Sequence, residues 1–387
     1  MRLAAASDGQ GTSTPARRLR IVILGLSITS AWGNGHATTY RALVAALAAR
    51  GHDVLFLERD VPWYAANRDL PEPPFGQTRL YQDLAGLRQY EDQVRQADLV
   101  IVGSYVPEGV AAGDWVARTA QGVRAFYDID TPVTMAKLRA GDYEYLEPRQ
   151  IANYDLYLSF AGGPILEQIE REYGAPAARP LYCSVDPALY YPEERPLAWD
   201  LGYMGTYSPD RQPGLERLLI EPARQEPALR FVVAGPSYPD DLQWPQNVER
   251  LDHLPPDRHR AFYNSQRFTL NLTRAAMVEA GFSPSVRLFE AAACATPIIS
   301  DYWPGLESLF ALGSELLVAR SARDVLVYLQ DLPEQERLAI GRRAYEVVMS
   351  RHTADHRAAQ LESYVADILS PIFSPHRLSA HLPLPGE

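Results

Sequence analysis

The pattern that most constrains the fold is a repeated alternation of short apolar strands with helices. Arg20–Leu24 predicts a buried strand, and Gly25–Gly35 is a glycine-rich loop. His36–Arg50 follows as an amphipathic helix that stops at Gly51, and Asp53–Leu57 predicts the next strand. Strands that alternate with helices favour a parallel, doubly wound α/β sheet.

The same alternation occurs twice, on either side of a proline-rich segment at Val185–Trp199. Further strands are predicted in the first block at Leu99–Val102, Val123–Tyr127 and Leu156–Phe160, and in the second at Leu201–Met204, Leu229–Val233, Phe268–Leu272, Pro297–Ser300 and Glu315–Val318. Helical patterns cover Leu80–Arg95, Pro213–Leu219, Pro333–Ser350 and Ala354–Leu369. We therefore predict a disordered tail (1–18), two Rossmann-like domains (19–188 and 198–352), a C-terminal helix that crosses back (353–372) and an irregular tail (373–387).

Composition excludes several classes of protein. With 387 residues, 47% of them hydrophobic and 22% charged, the chain has ample core for two domains. A net charge of −11 argues against a general nucleic-acid binder. The two cysteines, Cys183 and Cys294, are too few for a disulfide framework and fit a reducing compartment. No apolar run approaches membrane-spanning length and no signal peptide is evident, so we expect a cytoplasmic protein.

Ser283–Asp301 reads as one functional unit. Ser283 and Pro284 predict a helix start, the helix runs to about Ala295, and nearly all its positions are apolar. At about 100° per residue, Ser283, Arg287 and Glu290 share one polar stripe. The stripe begins at a helix N-terminus, which favours an anion such as diphosphate. The alternative is an Arg287–Glu290 pair inside a core helix.

Two loops are further candidates. Gly33-Asn34-Gly35-His36 lies at the carboxyl edge of the first sheet, where His36 is suited to act as a general base or merely begins the helix. Gly205-Thr206-Tyr207, followed by Arg211, is a second phosphate-facing loop or an ordinary strand–helix connection.

Four stretches stand out together: SITSAWGNGHATTYRAL, FLERDVPWYAANRD, YDIDTPVT and SPSVRLFEAAACATPIISDYWPGLE. With the two Rossmann-like blocks they resemble the GT-B glycosyltransferases, and more narrowly the CgeB-like (spore maturation protein) glycosyltransferases. The resemblance covers most of residues 19–350. It implies two Rossmann-like domains that face each other across a cleft, the N-terminal one for the acceptor and the C-terminal one for a nucleotide sugar.

The resemblance assigns roles to the candidate residues. The donor side comprises Gly205, Thr206, Arg211, Ser283, Ser285, Arg287 and Glu290, with Arg287 neutralising the diphosphate and Glu290 accepting from a ribose hydroxyl. The acceptor-side loop comprises Trp32, Gly33, Asn34 and Gly35. Fixed dipoles and guanidinium groups would stabilise the leaving group, so no metal and no cofactor beyond the nucleotide sugar is expected.

The resemblance also bears on mechanism. Inverting GT-B enzymes often orient a base histidine with an aspartate about a hundred residues later, and Asp128 or Asp130 matches that spacing from His36. Retaining GT-B enzymes of the large sucrose-synthase-like group carry a pair of glutamates separated by seven intervening residues. Here the second aligns with Glu290, but the first falls on Phe282. We therefore predict an inverting, metal-independent glycosyltransferase of the hexosyltransferase type, acting on a hydroxyl-bearing acceptor.

Three other functions are open at this stage. A non-hydrolysing nucleotide-sugar epimerase shares the GT-B fold, and a catalytically silent binding or coat-assembly protein would retain only the donor pocket. An NAD(P)-dependent oxidoreductase would use Gly33-x-Gly35 and Glu58, although Thr38 stands at the third glycine position of that fingerprint.

Overall fold

The chain folds into two parallel α/β sheets, described by a computed structural model for residues 17–32 and 35–370. Within those residues the N-terminal sheet has seven strands in the order β3-β2-β1-β4-β5-β6-β7. The strands are β1 Arg20–Gly25, β2 Asp53–Arg59, β3 Gln77–Tyr81, β4 Leu99–Gly103, β5 Val123–Asp128, β6 Leu156–Ser159 and β7 Ala178–Pro180. The helices are α1 His36–Ala49, α2 Pro62–Ala65, α3 Leu84–Leu87, α4 Glu91–Gln96, α5 Gly109–Thr119, α6 Thr131–Ala140, α7 Pro148–Ile151 and α8 Pro164–Tyr173.

The C-terminal sheet has six strands in the described part of the chain, in the order β10-β9-β8-β11-β12-β13. They are β8 Trp199–Met204, β9 Phe231–Ala234, β10 Val248–Leu251, β11 Gln266–Asn271, β12 Ile298–Ser300 and β13 Leu317–Val318. The helices are α9 Gln212–Leu215, α10 Glu221–Gln225, α11 Pro256–Asn264, α12 Ala275–Ala280, α13 Val286–Ala293, α14 Ala322–Gln330, α15 Glu334–Arg351 and α16 Ala354–Leu369.

The central strands are buried and apolar, which explains why helices cover both faces of each sheet. In β1 every residue after Arg20 is buried, and β4 is buried throughout, as expected when helices cover both faces of a parallel sheet. The predicted α/β class with two parallel sheets is confirmed.

The last helix packs on the first domain. Ala358, Leu361 and Val365 of α16 are buried in one cluster with Leu43 and Leu47 of α1. An isolated parallel bridge joins Val185 to Thr353, so the interdomain segment and the start of α16 lie side by side. The predicted boundaries at residues 188 and 198 fall between the last strand of the first sheet and the first strand of the second. Most of the two predicted tails lies outside the described residues.

Several of the strand and helix predictions were wrong. The helix predicted over Leu80–Arg95 is replaced by the end of edge strand β3 and two short helices, because β3 pairs with β2 and Asp83 caps a new helix by accepting from Gly86 N. Strands β7 and β10 were also missed. The helix predicted from Ser283 begins at Val286, with Ser285 as its N-cap residue.

Candidate functional site

Strand order reverses once in each sheet, and open α/β sheets bind ligands at the carboxyl ends of strands beside such a point. The reversal lies between β1 and β4 in the N-terminal sheet, and between β8 and β11 in the C-terminal sheet. The loops that follow these strands lead to His36 and Tyr105 on one side, and to Gly205 and Arg274 on the other. Topology therefore places both predicted loops where a ligand is expected.

The two carboxyl edges face each other. Arg274 Nη1 lies 3.7 Å from Asp130 Oδ2 across the cleft, and Gly162 N donates to Phe282 O at 2.8 Å. The Phe282 ring packs between Gly163 and Gly305, and a Cβ on either glycine would lie 2.4 Å from it. Phe282, which stands where retaining enzymes have the first glutamate of their pair, therefore forms an apolar contact between the two domains.

Arg287 carries a buried positive charge at the donor edge. Its side chain is held by Met204 O, 2.6 Å from Nε, and by Asn271 Oδ1, 2.8 Å from Nη1. Among the described residues no acidic side chain forms an ion pair with it. Its charge favours ionised Asp301, but burial raises the pKa of that carboxyl overall, and Thr273 N and Oγ1 donate to it at 2.9 Å. A buried guanidinium held by neutral acceptors is prepared to bind an anion.

Glu290, one turn further along α13, has different surroundings. Its carboxylate accepts from Tyr263 Oη of α11 at 3.0 Å, and only 3% of the residue is exposed. No Arg287–Glu290 ion pair forms within the described chain. The alternative of a self-satisfied pair inside a core helix is therefore not what the structure shows.

The start of α13 adds to the positive character of the donor edge. Ser285 Oγ donates to Asn271 Oδ1 at 2.7 Å instead of capping the helix, and Ser283 is buried just before it. No side chain caps the α13 N-terminus in the residues that the structure describes. Uncapped N–H groups and the helix dipole both favour a bound anion there.

The Gly205 loop approaches Arg287 closely. A Cβ on Gly205 would lie 2.5 Å from Tyr203 Oη and 3.1 Å from Arg287 Nη2, so only glycine fits without displacement. The next residue, Thr206, accepts from Arg211 Nη2 through its carbonyl at 2.6 Å. Burial lowers the pKa of Arg211, and the nearby charges of Arg287 and Arg274 lower it further. The guanidinium groups of Arg287 and Arg211 thus both lie at this loop, and the charge of Arg274 is close enough to act on Arg211.

We expect Gly205→Ala to weaken binding of a nucleoside diphosphate at least tenfold, because the added methyl group displaces Tyr203 or Arg287. Gly86→Ala is the matched control, since it adds the same methyl group within α3 of the other domain, at an ordinary 3.5 Å from Asp83 Oδ1. Isothermal titration of both variants measures the effect. Equal affinities would show that the Gly205 loop does not contact the ligand.

On the acceptor side, His36 begins α1 and lies partly buried against Tyr105. The ring centroids are 5.3 Å apart at an interplanar angle of 77°. Its Nδ1 is buried, and no described group hydrogen-bonds to it. Burial lowers the pKa of His36 to about 4, so the imidazole is neutral at physiological pH.

Glu58 fixes the loop that leads to His36. Its buried carboxylate accepts from Ile28 N at 2.6 Å, Thr29 N at 2.9 Å and Thr29 Oγ1 at 2.6 Å. The acid that an NAD(P) site would use for the ribose is therefore occupied by the protein's own backbone.

The two aspartates after β5 differ in role. Asp128 is fully buried, accepts from Tyr157 Oη at 2.5 Å and Thr134 Oγ1 at 2.7 Å, and burial raises its pKa to about 6. Asp130 accepts from Tyr105 Oη at 3.2 Å. In the described chain neither aspartate hydrogen-bonds to His36, and Tyr105 instead contacts both His36 and Asp130.

Sequence reasoning missed Tyr105 and Arg274. The available signal was their position directly after central strands β4 and β11. Of the predicted acceptor-side loop, Trp32 and Gly35 are exposed, while Gly33 and Asn34 lie outside the described residues.

The described residues offer neither a metal cluster nor a membrane-spanning helix. No three His, Cys, Asp or Glu side chains converge as metal ligands. No helix in that part of the chain is long and apolar enough to span a membrane.

Comparison with known proteins bears on the fold. The Glycosyl transferase-like family model matches residues 211–363. A solved sucrose-phosphate synthase from Thermosynechococcus elongatus superposes with a TM-score of 0.64 at 15% identity, covering 91% of this chain and 99% of its own. The fold is GT-B.

Two further GT-B structures agree. Anabaena HepE, solved with UDP and glucose, gives a TM-score of 0.69 at 12% identity over 90% of this chain and 100% of that one. An alpha-glucosyltransferase, solved with UDP-glucose and DNA containing an abasic site, gives a TM-score of 0.67 at 12% sequence identity, and the match again covers 90% of this chain and 100% of that one. The search of curated proteins found no match. These likenesses confirm the predicted fold class, while the narrower CgeB-like resemblance stays a prediction.

Proposed function

We propose that the protein is a glycosyltransferase of the hexosyltransferase type, which moves a sugar from a nucleoside diphosphate sugar to a hydroxyl-bearing acceptor. The proposal rests on the buried Arg287, which has no acidic partner among the described residues. It lies beside the Gly205 loop and the start of α13, which no described side chain caps. The family match over the same domain and the UDP complexes of two fold neighbours support it and make UDP the first nucleotide to test.

In the proposed reaction the acceptor hydroxyl attacks the anomeric carbon of the sugar, and His36 accepts the hydroxyl proton. The bond from the anomeric carbon to the diphosphate oxygen breaks, and the electron pair leaves with the nucleoside diphosphate. Arg287, Arg211 and the α13 dipole stabilise that developing charge without added reorganisation. Glu290 accepts from a ribose hydroxyl of the nucleotide.

Inversion at the anomeric carbon is the stereochemistry that a base on the acceptor side produces. Phe282, in place of the first glutamate of the retaining pair, supports it. The anomeric proton coupling in the NMR spectrum of the first-formed product tests this proposal, and a retained configuration would contradict it.

Nucleotide protection distinguishes this function from the oxidoreductase alternative. A nucleoside diphosphate present at 100 times its Kd should stabilise the protein by about 2.7 kcal/mol, whereas NAD and NADP should not stabilise it, because Glu58 is already fully engaged. Thermal unfolding with UDP, GDP, ADP, NAD and NADP measures this. Protection by NAD alone would refute the donor site.

The same protein preparation separates the remaining alternatives. Incubation with a panel of nucleotide sugars should show slow donor hydrolysis, which releases the nucleoside diphosphate. An epimerase would instead convert the sugar without an acceptor, and a silent protein would bind the nucleotide sugar but never turn it over.

Deoxyribose nucleotides test the role of Glu290. They lack a ribose hydroxyl for its carboxylate to accept from, so they should bind more weakly than the ribose forms.

A further inference from the structure

Tyr105 has an unusual backbone in the loop after β4. Its φ angle is 61°, in the left-handed region that bulky residues rarely adopt. Such conformations persist where the surroundings hold them, and they cluster at functional sites. Here Ser104, the preceding residue, accepts from Ile129 N through its Oγ at 3.1 Å and so ties this loop to the one after β5.

The conformation lets Tyr105 contact two candidate catalytic residues. The ring meets His36 edge to face, and its hydroxyl donates to Asp130 Oδ2 at 3.2 Å. The Tyr105 ring also packs on the Tyr145 ring, with centroids 4.6 Å apart. The side chain therefore has little freedom to move while these neighbours stay in place.

Asp130 extends these contacts across the cleft. The carboxylate oxygen that accepts from Tyr105 also lies 3.7 Å from Arg274 Nη1, in the loop between β11 and α12 of the other domain. The Arg274 side chain is 43% exposed, so the pair contributes little to stability. The pair instead depends on the arrangement of the domains, because Asp130 and Arg274 belong to different domains and meet only when those domains are close together.

We propose that Tyr105 is a positioning residue for His36, and that the Asp130–Arg274 pair makes this positioning depend on closure of the cleft. Tyr105 holds the imidazole by ring contact, while Asp130 holds the Tyr105 hydroxyl. The inference rests on the proposed function, since it assumes that His36 accepts the acceptor proton.

Tyr105→Phe is the direct test, because it keeps the ring that contacts His36 and removes only the hydroxyl held by Asp130. We expect kcat for sugar transfer to fall about 10- to 100-fold, with the donor Kd unchanged, since a small misplacement of a catalytic group has effects of this size. Tyr364→Phe is the matched control, because it removes one phenol hydrogen bond, to Pro180 O at 3.1 Å, from helix α16, which carries none of the candidate site residues.

A double-mutant cycle with Asp130→Asn separates positioning from a merely structural role. If the two residues act as a unit, the double variant loses no more than the worse single variant. Independent losses that multiply, or a wild-type kcat in Tyr105→Phe, would overturn the inference while leaving the glycosyltransferase intact.

A spectroscopic readout needs no turnover. The His36 imidazole resonances, assigned by their absence in His36→Gln, should shift in Tyr105→Phe and Arg274→Ala but not in Tyr364→Phe. Unchanged His36 resonances in both cleft variants would overturn the inference. If none of the nucleoside diphosphates bound the wild-type protein, the proposed function would be overturned instead.

Discussion

Arg287→Met is expected to abolish tight binding of the nucleoside diphosphate. The variant removes the buried guanidinium that no acidic side chain neutralises in the described part of the chain, so the pyrophosphate loses its charged partner. Truncating one member of a buried charge pair costs about 2–5 kcal/mol, or roughly 30-fold to several thousandfold in Kd. Isothermal titration with the diphosphate measures the loss, and donor turnover should fall with it.

Two variants make the Arg287 result specific. Arg287→Lys keeps the charge but loses the planar fork, so we expect an intermediate affinity. Arg337→Met removes another buried arginine of the same domain, whose charge Glu334 already neutralises, and should reduce stability without changing the diphosphate Kd. If folded Arg287→Met bound the diphosphate as tightly as wild type, the donor site would lie elsewhere.

The second large effect is expected for His36→Gln. Loss of the base should lower kcat for sugar transfer by about 10²- to 10⁴-fold, while the donor Kd stays unchanged because His36 lies on the opposite domain. His253→Gln, an exposed histidine of the C-terminal domain, is the matched control. Steady-state kinetics and titration calorimetry together separate the two quantities.

The pH dependence of kcat/KM is a second test of His36 as the catalytic base. A base must be unprotonated to act, and burial lowers the pKa of His36 to about 4, so activity should persist well below pH 6.5 and fall only as the pH approaches 4. A fall centred near pH 6 that survives in His36→Gln would point to Asp128, whose pKa burial raises to about 6.

Local sequence patterns predicted which helix carries the donor-side residues but not which partners those residues contact. Helical periodicity correctly put Arg287 and Glu290 on one helix. It could not show that Arg287 bonds to the ends of β8 and β11 while Glu290 bonds to Tyr263 of α11, because those partners lie up to 83 residues away in the chain. The same applies to Asp128 and Asp130, since only the sheet and α6 decide that one is fully buried and the other reaches the cleft.

Edge elements were the hardest part of the fold to predict. Strand β3 is mostly exposed, so its residues carry no apolar run, and its pairing with β2 overrides the helical pattern that begins at Leu80. Tyr105 escaped prediction for a related reason, because no local signal marks a tyrosine that packing holds in the left-handed region.

The amino-acid sequence by itself determined two α/β blocks, their central strands and the two loops that carry His36 and Gly205. This was possible because buried strands and amphipathic helices each require a characteristic spacing of apolar residues along a short stretch of chain. Only the tertiary structure decided that Arg287 has no acidic partner within the described chain, that Glu58 is engaged by its own loop, and that Tyr105 stands between His36 and Asp130. Each of these depends on contacts between segments far apart in the chain, which packing creates and local pattern does not encode.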